Sequence, residues 1–356
     1  MKNLTFKLYV LLLLILASGY SLAGDSCVVL QYHHFSEDTP TVTSVTPKQF
    51  DQHLDYLKKN GFSVLPLKQV VSKIRNRQPL PDKCVSLSVD DAYVSVYQTA
   101  YPRLKKLGWS MTVFVNTKAV DEGTKPYMNW QQMREMSQHG FSFENHSNTH
   151  DHLIRLKSNE KLEDWQQRVA EDILTAQNRI TQEIGISPTL FSHPYGEYNQ
   201  DLLDLIQEFD LTGFGQQSGP VWPDANFGAL PRFPMASSYA DLPGFITKVN
   251  TIALPVVQAL PEEPLLALDN KRPELILQIK PGISAKSNIN CYVNGSSNVS
   301  LIWADDNTLI VTPNFNLPAG RSRTNCTMSS TKRGRFHWYS HNWISRKADG
   351  SWYQEY

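Results

Sequence analysis

Two hydrophobic periodicities alternate along the first two thirds of the chain. Cys27-Val28-Val29-Leu30-Gln31-Tyr32 is a near-continuous apolar run, the pattern of a strand buried on both faces. From Pro47 to Asn60 the apolar residues Phe50, Leu54 and Leu57 recur at helical spacing, and Gly61 closes the segment. The exchange then repeats. Strands are predicted at Phe62–Leu65, Val85–Val89, Met111–Val115, Phe141–Glu144 and Thr189–Ser192. Between them lie helical patterns at Leu67–Arg75, Val94–Leu107, Trp130–Gln138 and Lys161–Ile184, and Gln200–Phe209 follows the last strand. Strands and helices alternating in this way form parallel βα units, closed into a barrel or wound as an open sheet.

The texture changes at Pro261-Glu262-Glu263-Pro264. Beyond Pro273 the apolar segments are short and alternating, at Leu275–Ile279, Ile289–Val293, Val299–Trp303 and Thr308–Thr312, with Gly, Asn and Pro between them. This predicts a small all-β, sandwich-like domain over 263–356, following an α/β domain over 24–262. The tail carries Phe336, Trp338, Tyr339, Trp343, Trp352 and Tyr353, which serve either as packing or as a sugar-stacking platform.

The first 23 residues join Lys2 and Lys7 to the apolar run Leu8–Leu16 and then to Ser21-Leu22-Ala23. That is the layout of a secretory signal peptide, and it predicts an exported protein, periplasmic or secreted, with no transmembrane segment in the mature chain. Export changes the reading of the four cysteines: Cys27 with Cys84 and Cys291 with Cys326 are expected as disulfides, one in each domain. The 34 basic and 34 acidic residues balance, which argues against nucleic acid as a partner.

Candidate chemistry gathers at strand ends. His33 and His34, Asp90 and Asp91, His146, and His193-Pro194-Tyr195-Gly196 each follow a predicted strand, the position where βα-barrels build their sites. Asp90 and Asp91 close the strand in which Val85, Leu87 and Val89 alternate with Ser86 and Ser88. Burying two unpaired carboxylates is costly, so the pair needs a partner. His146-Ser147-Asn148-Thr149-His150 sets two imidazoles four residues apart, on one face if the segment is a helical turn. With a carboxylate from the acid pair they make a His/His/Asp donor set; His152 competes as a ligand. The second acid is then free to take a proton from the attacking water. Neighbouring strand residues point to opposite faces, so both acids reach one pocket only if the strand ends between them.

These segments resemble the NodB-type polysaccharide deacetylases, carbohydrate esterase family 4. Ser88-Val89-Asp90-Asp91-Ala92 is similar to the first family motif, Thr-Phe-Asp-Asp-Gly, and His146–His150 to the second. Pro194-Tyr195-Gly196 matches the second half of the third, Arg-x-Pro-Tyr-Gly. The run Phe191–Asn199 is closest to the branch acting on poly-β-1,6-N-acetylglucosamine. The resemblance covers about Val28–Arg232 and implies a distorted (β/α) barrel with fewer than eight strands. It further implies an N-deacetylase of N-acetylated polysaccharides, with Asp91, His146 and His150 holding a divalent metal, most simply Zn2+. Asp90 would be the general base, and the Tyr195 N–H would stabilise the oxyanion.

Three positions depart from the pattern. Ala92 replaces a glycine, a mild change if its φ is negative; Ser192 stands where the third motif has Arg, a role open to Arg232; and the family's late Leu-x-x-His general acid has no match, leaving His193, His33 or His34 as candidates. The alternative reading is a catalytically impaired, glycan-binding relative.

Overall fold

In the computed structural model of the chain, residues 23–282 and 288–354 are described. The export leader read in Met1–Ala23 lies, but for Ala23 itself, outside those residues. One nine-stranded sheet dominates the first two thirds. Its strands are β1 (Cys27–Tyr32), β2 (Ser63–Val64), β3 (Cys84–Val89), β4 (Thr112–Val115), β5 (Ser142–Asn145), β6 (Leu190–Ser192), β7 (Thr212–Phe214), β8 (Pro220–Val221) and β9 (Phe233–Pro234). The order is β7-β6-β5-β4-β3-β1-β8, with β9 on β1 and β2 on β3. Every pair is parallel except β8 with β1. The sheet curls into a half-barrel, so the α/β barrel-type architecture expected from the sequence is the observed one. It has nine strands rather than fewer than eight: β2 is the strand expected at Phe62–Leu65, whereas β7, β8 and β9 are pairings of two or three residues, too short to leave a hydrophobic period.

Every residue of β1 and β3 is buried, as strands covered on both faces require. The helices α1 (Pro47–Lys59), α2 (Leu67–Arg75), α3 (Tyr101–Leu107), α4 (Trp130–Ser137), α5 (Leu162–Ile184) and α6 (Gln200–Glu208) pack outside. Helix α1 starts at a capping box: the Thr46 side chain accepts from the Gln49 N–H, and the Gln49 side chain accepts from the Thr46 N–H. Its buried stripe is Phe50, His53, Leu54 and Leu57. The helix expected from Val94 is shorter: a π-helical turn, Val96–Ala100, precedes α3. A further helix, α7 (Leu242–Val249), carries no strand after it of the barrel kind and went unread, as did the five-residue helix Thr117–Asp121.

Eight strands form two further sheets: β10 (Ile252–Ala253), β11 (Val256–Leu260), β12 (Leu275–Ile279), β13 (Ile289–Val293), β14 (Val299–Trp303), β15 (Thr308–Pro313), β16 (Gly320–Ser329) and β17 (Phe336–Ser345). Their orders are β10-β17-β16-β13 and β11-β12-β15-β14. Trp222, Leu275, Leu277, Val293, Leu309, Val311 and Trp343 fill the core of this region. The two longest strands, β16 and β17, lie where the sequence shows a nearly all-polar run and a polar–aromatic mixture rather than apolar alternation. Trp343, Tyr339 and Tyr353 are buried there, so those tail aromatics pack, while Phe336 stays exposed. Cys27–Cys84 joins β1 to β3 and Cys291–Cys326 joins β13 to β16, the two pairings expected. No described helix is long and apolar enough to cross a membrane.

Candidate active site

The acid pair is split by the end of its strand. β3 stops at Val89, and Asp91 and Ala92 take positive φ, 71° and 57°. The left-handed turn sends Asp90 and Asp91 in different directions from adjacent Cα atoms, which a continuing strand forbids. Ala92 therefore sits in the conformation a glycine adopts freely, and its replacement of glycine is not the mild change a negative φ would make it. The left-handed turn costs about 1–2 kcal/mol at an alanine, and Ala92 recovers part of that by burying its methyl group completely.

Asp90 points into the half-barrel and is fully buried. Arg232, also fully buried and immediately before β9, meets it with both arms: Nη1 donates to Oδ1 at 2.7 Å and Nη2 to Oδ2 at 2.8 Å. Gln31 Nε2 donates to Oδ2 at 2.7 Å. Arg232 Nη2 also donates to Ser192 Oγ at 2.8 Å, so the guanidinium reaches the position where the related motif carries its own arginine. Burial by itself would raise the Asp90 carboxyl; the Arg232 charge, aided by His146, overrides it and holds the group well below the usual carboxylate range.

Asp91 instead faces two imidazoles. Its Oδ1 lies 3.5 Å from His146 Nε2 and 3.3 Å from His150 Nε2, and the three donor atoms fall within 4.8 Å of one another. His146 Nδ1 lies 2.7 Å from the Ser192 carbonyl oxygen, which requires its proton on Nδ1 and leaves the Nε2 lone pair aimed at the cluster. Burial, opposed by Asp90, lowers the His146 pKa to about 4, so the ring is neutral. A lone pair and a carboxylate oxygen then converge with no proton between them, and Asp91 Oδ1, buried, makes no hydrogen bond. Such a donor set fits a cation, and these three residues could hold one.

The His146–His150 segment is not the helical turn its spacing suggested. It is a loop with Ser147 and His150 at positive φ. Side chains hold it there: Asn145 Oδ1 accepts from the Ser147 N–H, Ser147 Oγ from the His150 N–H, and Asp172 of α5 from the N–H groups of Asn148 and Thr149. His152 is not part of the cluster; its Nδ1 lies 2.8 Å from Glu197 Oε2.

His193 is fully buried with Nε2 against the Gly228 carbonyl at 2.7 Å, and burial lowers its pKa to about 4. His33 is half-buried at the end of β1, and His34 stacks on Tyr93 at 3.7 Å beside Asp91. Tyr195 holds a left-handed turn (φ 59°, ψ 4°), its ring 4.7 Å from that of His150. The next residue must be glycine: a Cβ at Gly196 would sit 2.6 Å from Gln216 Cβ. Sequence reasoning missed Gln31, Tyr93 and Glu197. Gln31 had a signal, the one polar residue in an apolar strand.

A parallel half-barrel whose rim joins an ion-paired carboxylate to an Asp/His/His donor set defines a hydrolase of the carbohydrate deacetylase type. The family model described as polysaccharide deacetylase matches residues 77–214. The Bacillus subtilis protein YxkH, named for polysaccharide deacetylation, is 33% identical over 205 residues, covering 57% of this chain and 69% of that protein. A poly-β-1,6-N-acetyl-D-glucosamine N-deacetylase of Staphylococcus epidermidis is 29% identical, covering 53% and 67%. Among solved structures, the Streptococcus pyogenes deacetylase PplD superposes with a TM-score of 0.57 at 23% identity, covering 63% of this chain and 98% of that one. IcaB from Ammonifex degensii gives 0.54 at 24%, covering 62% and 95%. The chain belongs to the polysaccharide deacetylase family.

Proposed function

We propose that the protein is an exported, metal-dependent N-deacetylase that removes acetyl groups from N-acetylglucosamine units of a polysaccharide. The observation that carries the reading is the Asp91–His146–His150 donor set beside the Asp90–Arg232 pair on one strand-end rim. The two disulfides fit an oxidising compartment, and the domains are read as 24–262 and 263–356, with β10 and β11 carried into the second one's sheets.

Asp91, His146 and His150 would hold the cation, with Zn2+ the ion best matched to two imidazoles and a carboxylate. When bound there, a divalent cation supplies a water of lowered pKa and polarises the acetyl carbonyl. The protein's own residues do the rest. Asp90, kept ionised by Arg232, accepts the proton of the attacking water. Arg232 fixes both carboxylate oxygens and so the direction from which the proton arrives. The Tyr195 turn brings its backbone N–H to the rim for the oxyanion. The leaving amine takes its proton from a rim imidazole. His33 at the end of β1 is the half-exposed one of the candidates, whereas His193 is fully buried against Gly228. The partner is an N-acetylated glycan, with Tyr93 offering its ring next to Asp91 and Tyr127 lying 4.9 Å from that ring.

The test compares bound Zn2+ and turnover in two variants. Asp90→Asn should retain Zn2+ and lose turnover by at least 100-fold, on the order of a general base's contribution. His146→Ala should lose Zn2+. Wild-type metal content in His146→Ala, or undiminished turnover in Asp90→Asn, would overturn the assignment.

A further inference from the structure

Two contacts run from the C-terminal β-region into the rim loops. Arg321, in β16, donates through Nη1 to the Tyr195 carbonyl oxygen, at a residue held in the left-handed region. Tyr353, in the segment after β17, donates its hydroxyl to Glu197 Oε1. Glu197 is 1% exposed, and its other oxygen is 2.8 Å from His152 Nδ1. The His152 ring lies flat on that of Tyr195, at 3.8 Å and 12°, and the Tyr195 ring abuts His150 at 4.7 Å. Arg155 closes the arrangement. It reaches Glu197 at 3.3 Å and the Tyr353 carbonyl at 3.1 Å, with the Tyr353 and Trp352 rings 4.7 and 5.1 Å from its guanidinium.

An unbroken series of contacts therefore links Tyr353 to Glu197, His152, Tyr195 and His150. The Arg321 contact enters the same series at the Tyr195 backbone. Charge-assisted hydrogen bonds to a buried carboxylate and a flat ring stack both restrict rotation, so each member limits the orientations open to the next. Among the described residues His150 has no ring-nitrogen partner of the kind that fixes His146 through the Ser192 carbonyl; the rings of Tyr195 and His146 are packed against it, at 4.7 and 4.8 Å.

We propose that the C-terminal β-region is a positioning element for the deacetylase site, with Arg321 and Tyr353 fixing the Tyr195 turn and, through His152 and Tyr195, the His150 ring. Neither residue touches substrate. The inference rests on His150 as a ligand, and it gives the β-region a role in the reaction rather than in glycan capture. It also accounts for a carboxylate, Glu197, that would otherwise be buried at the rim without chemical use.

The test uses the full chain and reads Zn2+ affinity by competition with a chromogenic chelator, kcat and KM on an N-acetylglucosamine oligomer, and Tm. Tyr353→Phe keeps the ring on Arg155 and removes only the hydroxyl. Arg321→Met removes the donor to Tyr195, and Arg321→Lys restores one. Outer-shell supports of metal-ligating imidazoles are worth 10- to 100-fold. Tyr353→Phe and Arg321→Met should each weaken Zn2+ binding and lower kcat about tenfold with KM unchanged, and Arg321→Lys should recover most of the loss. Ile302→Ser, on the exposed face of β14, should match wild type. Unchanged Zn2+ affinity and kcat in both variants would overturn the proposal, as would losses seen only together with a fallen Tm. Failure of the site itself reads differently: the wild type would bind no Zn2+, or His150→Ala would bind it as well as wild type.

Discussion

Replacing Arg232 with Met strips the buried Asp90 of its counter-charge while nearly keeping side-chain volume. The substitution removes the two donations to Asp90 at 2.7 and 2.8 Å, that to Ser192 at 2.8 Å and that from Nε to the Gly215 carbonyl at 3.1 Å. Both partners are 0% exposed, so solvent cannot substitute for the lost guanidinium. Removing one member of such a pair costs about 3–5 kcal/mol, most of it the penalty of the stranded charge. With a urea m-value of about 3 kcal/mol/M, the midpoint should fall by about 1–1.7 M at pH 7. Asp90→Leu combined with Arg232→Met removes both charges and should return most of the loss.

The sign of the pH dependence follows from the Asp90 carboxyl. In the wild type it titrates below its unfolded value, so its contribution to stability is complete above about pH 4 and fades as pH falls further. In Arg232→Met, burial acts with little opposition and moves the carboxyl above the unfolded value. The cost of the substitution should therefore shrink as pH is lowered toward 4, where Asp90 protonates in the variant. Chemical denaturation of the wild type, both single variants and the double variant at pH 4 and 7 measures all of this. A single-variant cost under about 1 kcal/mol at pH 7, or a double variant no more stable than Arg232→Met, would refute the reasoning.

Removing the Cys27–Cys84 disulfide, which closes 57 residues, by Cys27→Ala with Cys84→Ala should lower stability by up to about 4 kcal/mol. Matching midpoints with and without reductant would contradict this. Burial holds the His341 imidazole at about 4 against an ordinary 6.5, so the unfolded chain binds a proton there first as pH drops. Stability from this group is complete above 6.5 and declines as pH falls toward 4; His341→Phe should flatten that decline by up to about 1.4 kcal/mol per pH unit. An unchanged slope would exclude the buried imidazole as its source.

The half-barrel was legible because its long strands and helices differ in period, and because strand ends were marked by His and Asp. The three site segments read from the sequence do converge, since parallel strands bring their C-terminal ends to one rim. What escaped reading has physical reasons. β7, β8 and β9 are pairings of two or three residues made by tertiary contact, not by local preference. The His146–His150 loop carries helical spacing, yet Asn145, Ser147 and Asp172 hold its backbone N–H groups and select a left-handed conformation instead. From the sequence the guanidinium role is open to Arg232, but nothing local distinguishes it from a surface arginine; only the pairing of β9 with β1 brings it to Asp90. β16 buries Ser322, Thr324, Cys326 and Met328 in a nearly all-polar run, and β17 mixes polar residues with tryptophan and histidine, so neither shows its buried face as apolar alternation.

The central claim is a metal-dependent N-deacetylation carried out on this rim. It is tested most directly by acetate release from a β-1,6-linked N-acetylglucosamine oligomer, measured with the Zn2+-loaded protein, after chelation, and after Zn2+ is restored. The account predicts release that chelation abolishes and Zn2+ recovers, with none from Asp90→Asn under any of the three conditions. Release that persists in the chelated protein, or in Asp90→Asn at the wild-type rate, would contradict it.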